Sequence, residues 1–437
     1  MSYPYFPFKL QDEDGGRHTV LSPYTNGGFS VNASAADLLR LCDGRRPVDE
    51  LSEVIGEYYG VPSQQAASVA GEFLSRLEEK GLVWSRAEAM RWYNPPPPQT
   101  VFWEITAQCN LKCLHCVVSA DRRLDGELST AQAIDLITQW ARLGVRSLTF
   151  SGGEPLMRPD FFQLADAARQ MGLTANLATN GTTITEASAR RIAALGMDTQ
   201  ISLDGSNEEI YGDFRGKKEM FAKAMEGARL LVKHAVAVSI ATVATRKNIS
   251  DIPMTLKLTE ELRAQSFRLI PFVPYGRGAG SKELELSPDQ MRALTEYLRG
   301  MRHRVPFSIL PMEFEHTFDP PAGGAADRSA PSRCGGAVDY CTVTPLGEVL
   351  PCHYFEGVQA DNVKESSFEH IWRKSRFLNY FRSIQVKDIS GACQRCPWLA
   401  QCQGGCKAAN FSHGAMMRSN VHCWAATAGD QTPPSQV

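Results

Sequence analysis

Residues 109–116 read CNLKCLHC, and three cysteines within eight positions point to metal chemistry rather than to packing. Cys109, Cys113 and Cys116 directly follow VFWEIT (101–106), a strand-like run, so they belong to the loop at a strand's C-terminal end. Thiolate-held centres usually want four ligands. His115 offers a fourth for zinc, but it adjoins Cys116, and neighbouring side chains seldom reach one small ion together. A four-iron, four-sulfur cube held by three thiolates instead leaves one iron open to a substrate.

A second field of cysteines lies far downstream. It comprises CGGAVDYCTVTPLGEVLPC (334–352), CQRCPWLAQCQGGC (393–406) and Cys423, whereas Cys42 stands apart and reads as a small apolar residue on a core-facing helix. These eight thiols could hold two zinc ions as a ribbon, or two metal clusters. His353 and Tyr340 flank cysteines of this field, a position that by itself assigns them no catalytic role. MSYPYFPFKLQDEDGG lacks a basic segment followed by an apolar run, and no uncharged apolar stretch reaches about 18 residues. A cytoplasmic chain with reduced thiols is therefore expected, with no membrane contact and no disulfide framework.

The elements that must position these groups alternate. VFWEIT, RSLTFSG (146–152), LTANLATN (173–180), MDTQISLDG (197–205), AVAVSIATVA (235–244) and FRLIPFVP (267–274) are six strand-like runs separated by amphipathic helical stretches. This is the pattern of an α/β fold with a parallel sheet, flat or curled into a barrel, whose ligands bind at the strands' C-terminal ends. Polar groups stand there in series. Gly152 and Gly153 allow a close backbone approach, and Glu154 offers a carboxylate to an ammonium group, although the same residues suit a capped strand-to-helix turn. Asn180, Ser202 and Asp204 offer partners to ribose hydroxyls, and Arg215 could clamp a carboxylate.

Ahead of the sheet, HTVLSPYTNGGFSVN predicts a hairpin around Asn26-Gly27-Gly28, followed by three helices in AADLLRLC, PVDELSEVIGEYYG and SQQAASVAGEFLSRLEEKG. Pro95 to Pro98 then forbid helix and predict a stiff spacer. Beyond about residue 303 the alternation dissolves, and SSFEHIWRKSRFLNYFR predicts one helix within a metal-stapled extension. The chain carries 46 basic and 48 acidic residues, and residues 1–90 carry eight basic against thirteen acidic, so a nucleic-acid partner is not expected.

The CxxxCxxC loop, followed by GGEP, ATNG and SLDG at successive strand ends, resembles the radical S-adenosylmethionine (radical SAM) superfamily. That resemblance implies a partial (β/α)6 TIM-like barrel over residues 101–310, with SAM on the open iron of the Cys109, Cys113 and Cys116 cluster. Gly152, Gly153, Glu154, Asn180, Ser202, Asp204 and Arg215 would then bind SAM. The downstream field is similar to the SPASM extension, over residues 320–425, before a tail at 426–437. It implies two auxiliary clusters, one on Cys334, Cys341, Cys352 and Cys406 and one on Cys393, Cys396, Cys402 and Cys423, making three 4Fe-4S clusters in all. Residues 1–94, joined by a linker at 95–100, resemble the winged-helix-like, α+β PqqD domains that hold the leader of a precursor peptide.

Within the superfamily the motifs look most like the mycofactocin maturase family. The function implied is reductive SAM cleavage and hydrogen abstraction from a ribosomally made precursor peptide, leading to a crosslink, oxidative decarboxylation or epimerisation. An external one-electron reductant such as flavodoxin or ferredoxin would supply the electron. A radical SAM enzyme of small-molecule cofactor biosynthesis, heme-like or another redox cofactor, and a non-catalytic iron-sulfur carrier or sensor are the competing readings.

Overall fold

The computed structural model describes residues 2–13, 16–21, 28–321, 334–355, 357–414 and 416–426. The chain opens with β1 (Tyr3–Tyr5), β2 (Lys9–Glu13), β3 (Arg17–Leu21) and β4 (Phe29–Asn32). β2, β3 and β4 form an antiparallel sheet, with Arg17 opposite Asn32 and Val20 opposite Phe29. The strands of the predicted hairpin therefore pair, while Asn26 and Gly27 lie outside the described residues.

The three predicted helices follow as α1 (Ala33–Leu41), α2 (Val48–Tyr59) and α3 (Ser63–Glu79). Asn32 caps α1 by accepting from Ala35 N at 2.9 Å, and Gly60 ends α2 in the left-handed region at φ +66°. Cys42 is buried at the end of α1, its thiol donating to Leu38 O at 3.2 Å. β5 (Trp84–Arg86) returns to pair with β1.

The main sheet begins with β6 (Thr100–Glu104), α4 (Thr130–Leu143), β7 (Ser147–Ser151), α5 (Phe161–Gln170), β8 (Thr174–Thr179), α6 (Glu186–Ala194) and β9 (Asp198–Ser202). It continues through α7 (Glu208–Arg215), α8 (Met220–Lys233), β10 (Val238–Ala244), α9 (Ile252–Glu261), β11 (Ser266–Pro271), α10 (Pro288–Met301) and β12 (Ser308–Ile309). All six expected strands are present, β6 to β11, parallel and in sequence order. Each helix exists because its apolar residues recur on one face: Leu136, Ile137 and Trp140 of α4 are buried, and Trp140 meets Trp103 of β6 edge to face at 5.1 Å.

The cysteine-rich region is less separate than its loop-like sequence suggests. β13 (Tyr340–Val343) extends the main sheet by pairing in parallel with β6, and β14 (Val349–Leu350) pairs antiparallel with β13. The single helix expected over SSFEHIWRKSRFLNYFR is two, α11 (Phe368–Lys374) and α12 (Arg376–Arg382). Ser375 leaves helical conformation at φ −54°, ψ 129°, and its hydroxyl caps the second helix by accepting from Leu378 N at 3.3 Å. Two short helices follow, α13 (Leu399–Cys402), which ends on Cys402, and α14 (Lys407–Phe411), which begins just after Cys406.

The N-terminal unit packs directly on this region. Tyr5 stacks on Tyr380 at 4.4 Å, Trp84 meets Phe411 edge to face at 5.4 Å, and Arg86 pairs with Asp388 at 2.9 Å in a buried contact. The proline run is seated on the same surface, because Trp372 Nε1 donates to Pro96 O at 2.8 Å and Arg373 to Asn94 at 2.5 Å.

Candidate functional site

The loop after β6 is held from beneath by two buried charged side chains. Glu127 Oε1 accepts from Thr106 Oγ1, Ala107 N and Leu124 N at 3.1, 2.8 and 3.1 Å, so one carboxylate folds both ends of the loop together. Arg158 donates to Ile105 O at 2.6 Å and Leu128 O at 2.9 Å. From the next strand end, Gly153 N donates to Thr106 O at 2.7 Å and Glu154 N to Gln108 O at 2.8 Å. A Cβ at Gly153 would lie 2.2 Å from Gln108 O, and Gly152 sits at φ +123°. The close approach that these glycines permit is made to the cysteine loop itself.

Donors converge on the three sulfurs. Leu111 N lies 3.4 Å from Cys109 Sγ, Ala120 N 3.3 Å from Cys116 Sγ, and Arg215 Nη1 3.6 Å from Cys113 Sγ. Arg277, on the loop after β11, ties the far side by donating to Cys113 O at 2.8 Å and Ala120 O at 2.5 Å. Burial pushes the Cys109 thiol up to about 11 and raises that of Cys116. Both stay protonated at neutral pH unless a metal displaces the proton. Three thiols on one loop, surrounded by N–H donors and a guanidinium, fit an anionic iron-sulfur cluster, whose sulfurs accept such bonds.

The polar residues predicted at the strand ends fall into two groups. Glu154 is fully buried, with Oε1 accepting from Thr179 Oγ1 at 2.7 Å and Leu156 N at 3.2 Å, and Oε2 accepting, among the described residues, from Asn180 N alone, at 2.8 Å. Burial raises its pKa, against these donors. The Asn180 amide donates to Asn110 Oδ1 at 2.9 Å and reaches within 4.0 Å of Cys109 Sγ, while its oxygen accepts from Thr182. Gly152, Gly153, Glu154 and Asn180 thus surround the Cys109 end of the loop.

Asp204 and Arg215 form the second group. Asp204 is fully buried and lies 2.6 Å from Arg215 Nε and 3.1 Å from His115 Nε2. Burial alone would raise its pKa, but Arg215 and His115 hold the carboxyl below the usual range, and Asp204 in turn raises Arg215 despite burial. Arg215 does clamp a carboxylate, but one supplied by the protein, and it braces Cys113 from there. His115, the fourth ligand that a zinc site would have used, instead has its Nε2 3.1 Å from the Asp204 carboxylate. Ser202 is half-buried at the end of β9, on the face opposite buried Ile201.

In the downstream field, Cys393, Cys396, Cys402 and Cys423 line one small pocket together with His316 and Trp398. All four thiols of the expected set are therefore brought together. Cys334, Cys352 and Cys406 also share a site: burial raises the pKa of each, and the charges of Cys334 and Cys406 raise Cys352 further. Cys341 does not join them, which corrects the expected ligand set. Side chains alternate along β13, so Tyr340 faces the three thiols and bonds to Cys334, while Cys341 points to the opposite side, fully buried in the hydrophobic core near Arg382.

Residues 103–259 match the radical SAM superfamily, residues 17–83 match coenzyme PQQ synthesis protein D (PqqD), and residues 334–397 match the SPASM iron-sulfur cluster-binding domain. The mycofactocin maturase MftC of Mycobacterium tuberculosis is 33% identical over 324 residues, covering 72% of this chain and 80% of the relative. The chain belongs to the radical SAM superfamily. An AdoMet-dependent heme synthase of Methanosarcina barkeri is 31% identical over 348 residues (75% of this chain, 96% of the relative), and the PqqA peptide cyclase of Gluconobacter oxydans is 30% identical over 319 residues (72% and 86%). Among solved structures, Streptococcus suis SuiB bound to precursor peptide SuiA has a TM-score of 0.62 at 15% identity, covering 98% of this chain and all of the other. AnSMEcpe with bound AdoMet and a peptide has a TM-score of 0.60 at 20% identity, covering 75% and 94%. These two likenesses speak for the fold.

As a radical SAM enzyme, the chain carries 4Fe-4S chemistry and uses SAM. Reasoning from motifs missed Glu127, Arg158 and Arg277, which hold the loop by backbone contacts. Arg277 alone had a legible signal, since YGRG follows the last strand-like run and places the arginine among the strand-end loops. No helix among the described residues is long and apolar enough to cross a membrane.

Proposed function

We propose that this radical SAM enzyme modifies a ribosomally made precursor peptide, forming a crosslink, removing a carboxyl group or inverting a stereocentre. The observation that carries the proposal is the docking of the PqqD-like unit on the SPASM region through Tyr5, Phe8 and Trp84 against Tyr380 and Phe411. A peptide whose leader is held there has its core segment confined near the cluster loop, at a raised effective concentration. The β2–β3–β4 sheet with α1, α2 and α3 supports a winged-helix-like unit over residues 1–94, and the seated prolines at 95–98 support a fixed junction rather than a tether.

A cluster held by Cys109, Cys113 and Cys116 would, with SAM and one electron, supply the radical chemistry for hydrogen abstraction. Around them the chain's residues orient and shield. Glu154 Oε2 retains acceptor capacity for the amino group of SAM, Ser202 faces the place of a ribose, and Asp204 with His115 holds Arg215 against Cys113. Gly152 and Gly153 keep the loop tight, and Asn180 shapes it through Asn110.

The three thiol groupings, two of three cysteines and one of four, support a reading with three 4Fe-4S clusters. The curl of a partial (β/α)6 barrel is supported by Arg268 and Tyr340: their strands are six positions apart in the sheet order, yet the charge of Arg268 acts on Tyr340. A flat sheet would hold them about 29 Å apart at the usual strand spacing. The electron comes, in this reading, from an external carrier such as flavodoxin or ferredoxin, in the reducing cytoplasm.

Coexpression with a candidate precursor peptide encoded by a short open reading frame near the gene, where one is found, tests the proposal. A mass change in that peptide, dependent on Cys109, Cys113 and Cys116, is expected. An unchanged peptide, together with rapid SAM cleavage on a tetrapyrrole, would favour the small-molecule reading suggested by the heme synthase relatives.

A further inference from the structure

Most arginines near the two metal regions are committed to protein acceptors. Arg158 binds backbone carbonyls, Arg215 pairs with Asp204, Arg277 ties the cysteine loop, and Arg382 donates to Ala337 O at 2.6 Å. Arg268 differs. It makes no hydrogen bond or ion pair with any described residue, and it is exposed although its neighbours Phe267 and Leu269 are buried.

The alternation of β11 explains this. Phe267 and Leu269 point toward the helices, so Arg268 points to the other face, the concave one. Register fixes its level: Arg268, midway along β11, is opposite Ala241, which is opposite Ser202 at the end of β9, so guanidinium and serine share one row across the sheet. From there its charge acts on Tyr340, Tyr354 and His353, and both tyrosines also feel Cys352 and Cys406. Arg268 thus stands between the SAM-side strand ends and the first auxiliary thiols, facing two phenols and an imidazole.

We propose that Arg268 binds a carboxylate of the substrate peptide, with Tyr340, Tyr354 and His353 forming the wall beside it. A guanidinium offers a carboxylate two parallel N–H bonds, which both anchors the substrate and fixes its orientation. The carboxylate is either a free C-terminus or an Asp or Glu side chain. The inference rests on the reading of the protein as a peptide-modifying enzyme.

The test labels the reconstituted, SAM-loaded full chain with phenylglyoxal and maps adducts by mass spectrometry. Three probes compete: N-acetyl-tyrosine, carrying a terminal carboxylate; N-acetyl-aspartate amide, carrying only a side-chain one; and N-acetyl-tyrosine amide, carrying neither. Arg268 is expected to label, and the preferred acid to protect it at about tenfold lower concentration than the neutral amide. The acid that protects better identifies the source. Equal protection by the amide, or no labelling of Arg268, overturns the proposal. Arg268→Gln should abolish this adduct, and Arg268→Lys, with unchanged iron content, should weaken binding of the preferred acid. A modified coexpressed peptide without selective protection sinks the Arg268 site alone, whereas protection without any peptide modification sinks the precursor reading and leaves the site standing.

Discussion

Around residues 109–116, three thiols sit on a loop whose backbone is hydrogen-bonded from two neighbouring strand ends and from Glu127, Arg158 and Arg277. Around residues 393–423, four thiols line a small pocket framed by short helical turns, and among the described residues their local apolar cluster consists of Val386, Ile389, Cys393 and Leu399 with Cys396 packed against them. The same donor chemistry therefore rests on different supports. The first site is ordered by the sheet before any metal arrives, while the second depends on its metal and on the packing around it.

The sharpest way to break this comparison is to remove the cysteines of each region. Replacing Cys109, Cys113 and Cys116 together by Ala should abolish 5'-deoxyadenosine formation and lose about four of roughly twelve irons, yet leave the melting temperature nearly unchanged. Replacing Cys393 and Cys396 should lose a similar share of iron and also unfold the surrounding segment, seen as new proteolytic cuts. Equal melting temperatures for the two variants would contradict the difference in support.

Next in size are two buried ion pairs. Arg86→Ala leaves Asp388 buried without its partner, and should cost about 3 kcal/mol in chemical denaturation. Asp204→Asn should cost about as much at neutral pH, because Arg215 and His115 lose their counter-charge. The folded carboxyl of Asp204 lies below its unfolded value, so its contribution is complete above about pH 4. It is lost as pH falls from there toward the depressed folded value, and the gap between wild type and variant should close in that window.

Smaller effects refine the auxiliary site. Cys341→Ala should keep the full iron content and cost about 1 kcal/mol from the lost packing, whereas Cys352→Ala should lose about four irons. Loss of iron in the Cys341 variant would restore it as a ligand. Lys9→Ala removes a half-exposed pair with Glu348 between the N-terminal sheet and the SPASM region, and should change stability by less than about 1 kcal/mol.

Much of this was legible in the chain, for identifiable reasons. The six parallel strands follow from apolar runs, since buried residues such as Leu148 and Phe150 recur with period two. The open cluster follows from spacing, because Cys109, Cys113 and Cys116 lie on a single loop. Other features were not legible. Ser375 ends one helix and caps the next only because the backbone there leaves helical conformation, and nothing in FEHIWRKSRF marks the break. The proline run looked like a spacer until Trp372 supplied a donor to Pro96.

By itself, the sequence determined which chemistry is available and in what order the elements come. Thiol spacing, hydrophobic period and turn residues act over a few positions, so local pattern is enough to settle them. Only the tertiary structure decided how distant groups are shared out. Strand alternation turned Cys341 into the core and Tyr340 toward the thiols, Asp204 engaged His115 and Arg215, and β11 left Arg268 on the face opposite Phe267 and Leu269. Those outcomes depend on register and on contacts between segments far apart in the chain, where one residue's shift along a strand would send the side chain to the other face.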